Sequence, residues 1–218
     1  HWIVPEDDAD GRIRAALAQG KGMIAVGTHI GSWELAGFAF PTLGYPLVSI
    51  SRRIPSPRVE ELVLKIRSRL GNEVVHKEGA LRHMLRALKD NKCLGIIMDQ
   101  YAGRESPWVP FFGREASTID SVARLHLRTG CPVMFNIMTR RPDGKFRWRC
   151  IPIQPPPPVE GESDDARVRG ILMACHKEFE AAIRETPEQW LWMHKRWKPR
   201  PADLPVVKVE DNTVVTSP

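Results

Sequence analysis

Between Met23 and Met138 the chain alternates short apolar runs with stretches whose apolar residues recur every three or four positions, and this alternation restricts the fold more than any other feature. Met23–Gly27, Pro46–Ser51, Asn72–Val75, Cys93–Met98 and Pro132–Met138 read as strands. Helical spacing marks Trp33–Phe40, the set Val59, Leu62, Val63, Ile66 and Leu70 closed by Gly71, the set Leu81, Met84, Leu85 and Leu88, and Thr118–Arg128. Repeated strand–helix units predict an α/β fold: one domain with a mixed, mainly parallel β-sheet covered by helices. Asp143-Gly144 predicts a hairpin into Lys145–Ile153, an antiparallel strand toward the sheet edge. Val109–Gly113 reads as an apolar turn, the tetraproline Pro155–Pro158 as a stiff connector, and Asp164–Arg184 as a long helix.

At the end of the first of these strands stands His29-Ile30-Gly31-Ser32-Trp33-Glu34. A five-residue step within one helix turns through about 500° and would separate His29 from Glu34. Here His29 precedes the helix and Glu34 lies in its first turn, so the two can fold toward each other. Ser32 is a candidate N-cap, which would set Glu34 at the positive end of the helix dipole. An ionised Glu34 would then fix the tautomer of His29 and leave its other ring nitrogen to take a proton from a hydroxyl.

The 218 residues are 42% hydrophobic, enough for one sizeable core. Thirty-two Lys and Arg against 26 Asp and Glu leave a net charge of +6, which favours an acidic partner; no nucleic-acid-binding motif accompanies it. Cys93, Cys131, Cys150 and Cys175 form no C-x-x-C pair and read as buried free thiols. No His or Cys pair has zinc-ligand spacing, so no metal is assigned. The chain has no apolar run of about 18 residues, begins with His1, and shows its first strand only some twenty residues in, as would a chain lacking an N-terminal segment.

Several blocks taken together resemble the bacterial lipid A biosynthesis acyltransferases, from about Met23 to Arg200. They are His29–Glu34; Ser51-Arg52-Arg53 with Ile66-Arg67-Ser68-Arg69-Leu70-Gly71; Met98-Asp99-Gln100; Val109–Gly113 with Ala116-Ser117-Thr118; Thr129–Val133; and Pro187–Lys198, the most distinctive. The resemblance implies a glycerolipid acyltransferase-like domain over residues 1–200, a loosely ordered tail over 201–218, and transfer of a fatty acyl group from a thioester to a hydroxyl of a lipid A precursor or related glycolipid. His29 would be the general base and Glu34 its support, with no cofactor beyond the acyl thioester itself.

By the same resemblance Arg67 and Asp99 are candidate substrate-binding residues, Arg69 competes with Arg67, and Arg52 is a further phosphate-binding candidate. Backbone N–H groups near Gly31 are the candidate oxyanion donors. Trp190, Trp192 and Trp197, interleaved with Lys195, Arg196, Lys198 and Arg200, suit an anionic membrane surface, and almost as well a helix packed on the core with a basic rim. Implied partners are acyl carrier protein or acyl-CoA as donor, a glycolipid acceptor and an anionic membrane, at the cytoplasmic face of the bacterial inner membrane. Competing readings are an acyltransferase for another glycolipid and a non-catalytic lipid- or carrier-binding homologue.

Overall fold

A computed structural model describes residues 2–6, 8–198, 208–210 and 213–215. In chain order the elements are β1 (Ile3–Pro5), α1 (Ala9–Leu17), β2 (Met23–Gly27), α2 (Trp33–Thr42), β3 (Leu47–Ser51), α3 (Pro57–Arg67), β4 (Glu73–His76), α4 (Ala80–Lys89) and β5 (Cys93–Ile97). They continue as β6 (Trp108–Phe111), β7 (Arg114–Ser117), α5 (Ser121–Thr129), β8 (Val133–Arg140), β9 (Phe146–Pro152) and α6 (Asp164–Glu185), then a 3₁₀ turn at Pro187–Gln189, β10 (Lys208–Glu210) and β11 (Thr213–Val215).

Seven strands form one sheet in the order β1-β9-β8-β2-β5-β3-β4. All neighbours are parallel except β8 and β9, which the Asp143-Gly144 turn joins as an antiparallel hairpin. Side chains alternate across each strand, and β2 divides accordingly. Ile24 and Val26 pack with α4, α5 and α6 on one face, whereas Met23 and Ala25 pack with α1 and α2 on the other. This is the single-domain α/β sheet that the periodicity predicts.

Two expectations need revision. β1 and α1 precede β2, where the sequence reading places no strand before about residue twenty; β1 is only three residues long and too short to carry a periodic signal. Val109–Gly113 is the core of a β-hairpin, β6–β7, rather than a turn alone. Pro110 is accommodated because this two-stranded unit has edges on both sides. The tail expectation for 201–218 lies outside the described residues, apart from β10 and β11, which pair with each other. The four cysteines are free and buried, and burial pushes the Cys93, Cys150 and Cys175 thiols up to about 12.

The segment after α6 is tied inward by an arginine. Arg196 is 1% exposed; its guanidinium donates to the Ser117 carbonyl and to Thr118 Oγ1 at 2.7 Å, and lies 5.4 Å from the Phe111 ring centre. Desolvation lowers its pKa to about 10, a value that still leaves it charged at neutral pH. Arg196 Nη2 also lies 3.3 Å from His176 Nε2, while His176 Nδ1 is 2.8 Å from the Pro110 carbonyl. A carbonyl only accepts, so Nδ1 carries the proton and Nε2 presents its lone pair to the arginine. Burial first, opposed by the Pro110 carbonyl and reinforced by the charge of Arg196, pushes the His176 pKa down to about 3.

Because the folded His176 takes a proton far less readily than an unfolded histidine, its contribution to stability is complete above pH 6.5 and is lost as pH falls toward 3. Thermal melts of the wild type should therefore drop steadily from pH 7 to pH 4, with a slope from this group of up to about 1.4 kcal/mol per pH unit. His176→Gln, which keeps a donor for Pro110, should flatten that slope; an equally steep decline in the variant would place the acid sensitivity elsewhere.

Candidate active site

Parallel pairing sets the central geometry. β2 and β5 are neighbours in register, with Gly27 opposite Ile97, and each chain runs two residues past its strand end to reach His29 and Asp99. Side chains at matching offsets on adjacent parallel strands meet. His29 Nδ1 lies 2.7 Å from Asp99 Oδ1, and the His29 backbone N–H donates to Asp99 Oδ2 at 2.8 Å. Trp190 Nε1–H donates to the same Oδ2 at 2.8 Å. Asp99 is 4% exposed, and burial alone would raise its pKa. The hydrogen bond and charge of His29, with the Trp190 and backbone donors, outweigh that and hold the carboxyl below its usual range. An ionised carboxylate only accepts, so Nδ1 of His29 carries a proton, and in the neutral ring Nε2 is then the acceptor.

The loop between His29 and α2 is held from outside. Gly31 has φ +58°, and a Cβ there would stand 2.0 Å from the Met138 carbonyl oxygen, so no larger residue fits. The Gly31 N–H donates to the Gln189 carbonyl and the Ser32 N–H to the Met138 carbonyl, both at 2.9 Å. These amides, expected as oxyanion donors, are thus occupied by the protein itself. Ser32 precedes α2 as expected but makes no side-chain capping bond.

Glu34 does not orient His29. It sits in the first turn of α2, and its two oxygens take a fork from Arg67, Nη2–Oε1 at 2.5 Å and Nε–Oε2 at 3.0 Å. Arg67 Nη1 also donates to Ser51 Oγ at 3.0 Å. Glu34 pairs with Arg67 because a planar guanidinium offers it two aligned donors, and His29 already has a buried carboxylate as its partner. The same geometry revises two substrate-binding expectations. Asp99 is enclosed behind His29 with its oxygens taken, and Arg67 is committed to Glu34 and Ser51. Arg69 lies exposed beyond the end of α3, outside the cavity lining.

His29, Glu34 and Arg67 line one cavity of about 720 Å³. Its deeper walls are apolar or small: Ala25, Gly27, Ala36, Gly37, Leu47, Gly95, Ile96 and Met98, with Asn72 and Asn136 among them. Arg52, Arg53 and Lys77 are exposed residues on its lining. Gln100, directly after Asp99, contributes its amide nitrogen 3.5 Å from His29 Nε2. The structure therefore brings together His29, Asp99, Glu34, Arg67 and Arg52, but as two pairs and a rim cation rather than as the predicted His29–Glu34 dyad. Sequence reasoning missed Trp190 and Gln100 as site neighbours. The equal two-residue offset of His29 and Asp99 from their strands was the available signal for their pairing.

The C-terminal aromatic block divides. Trp190 and Arg196 are buried and Trp197 packs against the core, its indole donating to the Phe111 carbonyl at 3.0 Å. Trp192, Met193, Lys195 and Lys198 remain at the surface, Lys198 over the Tyr101 ring at 4.3 Å. Arg200 lies outside the described residues. Trp190 and Arg196 are thus packed inward, while Trp197 is half-buried. Among the described residues no helix is long and apolar enough to cross a membrane.

Residues 8–199 match the family model described as bacterial lipid A biosynthesis acyltransferase. The chain is 30% identical over 197 residues to the lipid A biosynthesis lauroyltransferase of Escherichia coli (strain K12), covering 88% of this chain and 61% of that protein. It is 28% identical over 210 residues to the palmitoleoyltransferase of lipid A biosynthesis from the same strain, covering 92% and 66%. A phosphatidylinositol mannoside acyltransferase of Mycolicibacterium smegmatis (strain ATCC 700084 / mc(2)155) is 24% identical over 187 residues, covering 84% and 59%. The chain thus spans roughly three fifths to two thirds of the length of these curated relatives.

Nitrogen NMR of the imidazoles distinguishes the two carboxylates. His29 should show a protonated Nδ1 and a bare Nε2 in the wild type and in Glu34→Gln. In Asp99→Asn the amide can donate to Nδ1, and the tautomer should shift toward protonated Nε2. A tautomer change in Glu34→Gln with none in Asp99→Asn would restore the dyad first expected from the sequence.

Proposed function

The chain belongs to the bacterial lipid A biosynthesis acyltransferase family, and on that premise we propose that it transfers a fatty acyl group from acyl carrier protein to a hydroxyl of a lipid A precursor or a related glycolipid, with His29 as the base and Asp99 as its orienting acid. The observation that carries this reading is a histidine with one nitrogen fixed by a buried carboxylate and the other bare, lining a cavity large enough for an acyl chain. Acyl-CoA is the alternative donor. A phosphoglycolipid acceptor of the kind named for the mycobacterial relative is the alternative acceptor.

In the proposed reaction the fatty chain occupies the apolar depth of the cavity and the thioester carbon lies near His29. Nε2 takes the proton of the acceptor hydroxyl as its oxygen attacks that carbon. Asp99, already ionised, stabilises the imidazolium without itself being protonated. The carbonyl oxygen gains negative charge, and the Gln100 amide is placed beside Nε2 to donate to it. Collapse of the tetrahedral intermediate breaks the carbon–sulfur bond, and the departing thiolate takes the proton from Nε2. The products are the new ester and the free thiol, and the histidine returns to its starting state. No resident cofactor is required by these steps.

The Glu34–Arg67 pair has a different role in this scheme. It joins the first turn of α2 to Ser51 at the end of β3 and so holds one wall of the cavity mouth in place. Arg52 and Arg53 carry the rim charge suited to phosphate on the acceptor, and no ion pair holds either among the described residues. The enzyme works, in this reading, at the cytoplasmic face of the inner membrane, where the acceptor lipid is found and acyl thioesters are made.

Incubation with acyl carrier protein thioesters or acyl-CoA and a membrane glycolipid, followed by mass spectrometry of the lipid, tests the reaction. His29→Ala should lower transfer by about a thousandfold or more, and Asp99→Asn by about a hundredfold or more, with the fold retained. Glu34→Gln and Arg67→Ala should cost roughly tenfold, with Arg67→Lys no better than halfway restored. Near-normal turnover by a folded His29→Ala protein rules the mechanism out.

A second measurement concerns chain length. Gly37 and Leu47 both line the cavity, and a Cβ on Gly37 would stand 3.9 Å from Leu47 Cδ2, an ordinary van der Waals distance. Gly37→Leu should fill that depth and move donor preference to acyl chains shorter by several carbons. Unchanged preference in a folded variant would mean that the acyl chain lies elsewhere.

A further inference from the structure

Among the six α-helices, α3 is the exception: it has no buried residue, and none of its side chains belongs to the apolar clusters on either sheet face. Its apolar residues nevertheless form a stripe. At about 100° per residue, Val59, Leu62 and Ile66 fall within about 60° of one another, and Leu70 follows in the next turn. All four are 47% to 57% exposed. The side turned to the protein carries Glu60, which meets His76 at 3.5 Å, Arg67, which meets Glu34, and the half-buried Val63 and Leu64, while the stripe itself faces out. A stripe of large aliphatic residues turned to water forgoes the stabilisation that burial would give.

The flank of the stripe is basic. Arg58 and Lys65 lie about 40–60° from Leu62 around the helix, and the acidic Glu61 follows on the same flank, about 40° beyond Lys65. Arg69 is exposed in the turn that follows. The helix stands beside the cavity mouth, since Arg52–Pro55, which lead into it, and Arg67, its last residue, all line the cavity.

We propose that the outer face of α3 is the surface by which this protein rests on an anionic lipid bilayer, with Val59, Leu62, Ile66 and Leu70 entering the acyl–headgroup boundary and Arg58, Lys65 and Arg69 meeting the headgroups. A wide aliphatic stripe with cations on its flank is the chemistry of an interfacial helix. Its place beside the cavity lets a lipid-borne acceptor reach His29 without leaving the membrane, which rests on the proposed acyl transfer to a glycolipid. The Trp190–Lys198 segment, with Trp190 and Arg196 buried and Trp192 and Met193 exposed, is the competing membrane candidate.

The test is sedimentation of the full 218-residue chain with vesicles of phosphatidylglycerol and phosphatidylethanolamine, or of phosphatidylcholine alone, at low and high salt. The wild type should prefer the anionic vesicles and release in high salt, because the headgroup attraction is screened over about 10 Å at 0.1 M. Leu62→Ser with Ile66→Ser should weaken binding by about tenfold or more on both vesicle types. Arg58→Gln with Lys65→Gln and Arg69→Gln should abolish the anionic preference and the salt dependence. Trp192→Ser with Met193→Ser is the comparison, and should change little.

Transfer in detergent micelles reports separately on the reaction, because none of the substituted residues lines the cavity; α3 variants that lose vesicle binding should keep it. Vesicle binding unaffected by either set of α3 substitutions overturns the proposal. So does loss confined to the Trp192/Met193 variant, a wild-type dimer dissolved by the α3 substitutions, or α3 variants that lose acyl carrier protein binding while vesicle binding stays intact.

Discussion

A carboxylate removed from water dictates the arrangement around it. Asp99 would be expensive to bury alone, and the protein meets that cost with three donors drawn from distant places in the chain: the ring and backbone of His29 and the indole of Trp190. Hydrogen bonds to a charged group are worth about 1.5–3 kcal/mol each, and loss of one leaves a buried charge short of a partner. The same bonds join β2, β5 and the segment after α6 at one point. The orientation of the His29 ring and tertiary closure are therefore served by one set of contacts, and the ring cannot be turned without disturbing both.

Arg196 repeats this arrangement on a neighbouring part of the molecule. A second buried charge is satisfied by the carbonyl of Ser117, the hydroxyl of Thr118 and the bare nitrogen of His176. These partners belong to the β6–β7 hairpin and its exit and to α6, so the hairpin is held to the helix by polar as well as apolar contacts. The choice of arginine matters, because its fixed fork reaches several acceptors at once where a lysine would supply a single centre. Phe111 and Trp197, stacked with ring centres 5.7 Å apart, exclude water from this network.

The sheet was legible in the sequence because its strands are buried on both faces and interrupted by amphipathic helices, a pattern that depends on local periodicity. β1 was not legible, since three residues paired to β9 carry no period of their own. The site was legible in part. His29 stood out through its position between a strand and a helix, and Glu34, Arg67, Asp99 and Arg52 all do gather at or behind one cavity. The pairing was misread because nearness in sequence favoured Glu34. The true neighbour of His29 is 70 residues away and is fixed by strand order, which no local pattern encodes. For the aromatic block, composition suggested an interface, but burial is decided by what the rings meet, and Phe111 and Asp99 were waiting for them.

Ninety-one residues separate Asp99 from Trp190, and Trp190 follows nearly everything else in the sheet and its helices. During synthesis, His29 and Asp99 can therefore be brought side by side by strand pairing well before the indole that completes the carboxylate's shell has left the ribosome. Until then Asp99 is only partly satisfied and the loop at Gly31 lacks the Gln189 carbonyl that receives its N–H. The nascent chain consequently makes the two strands that set His29 beside Asp99 before it makes the indole and the carbonyl that fix this corner of the molecule.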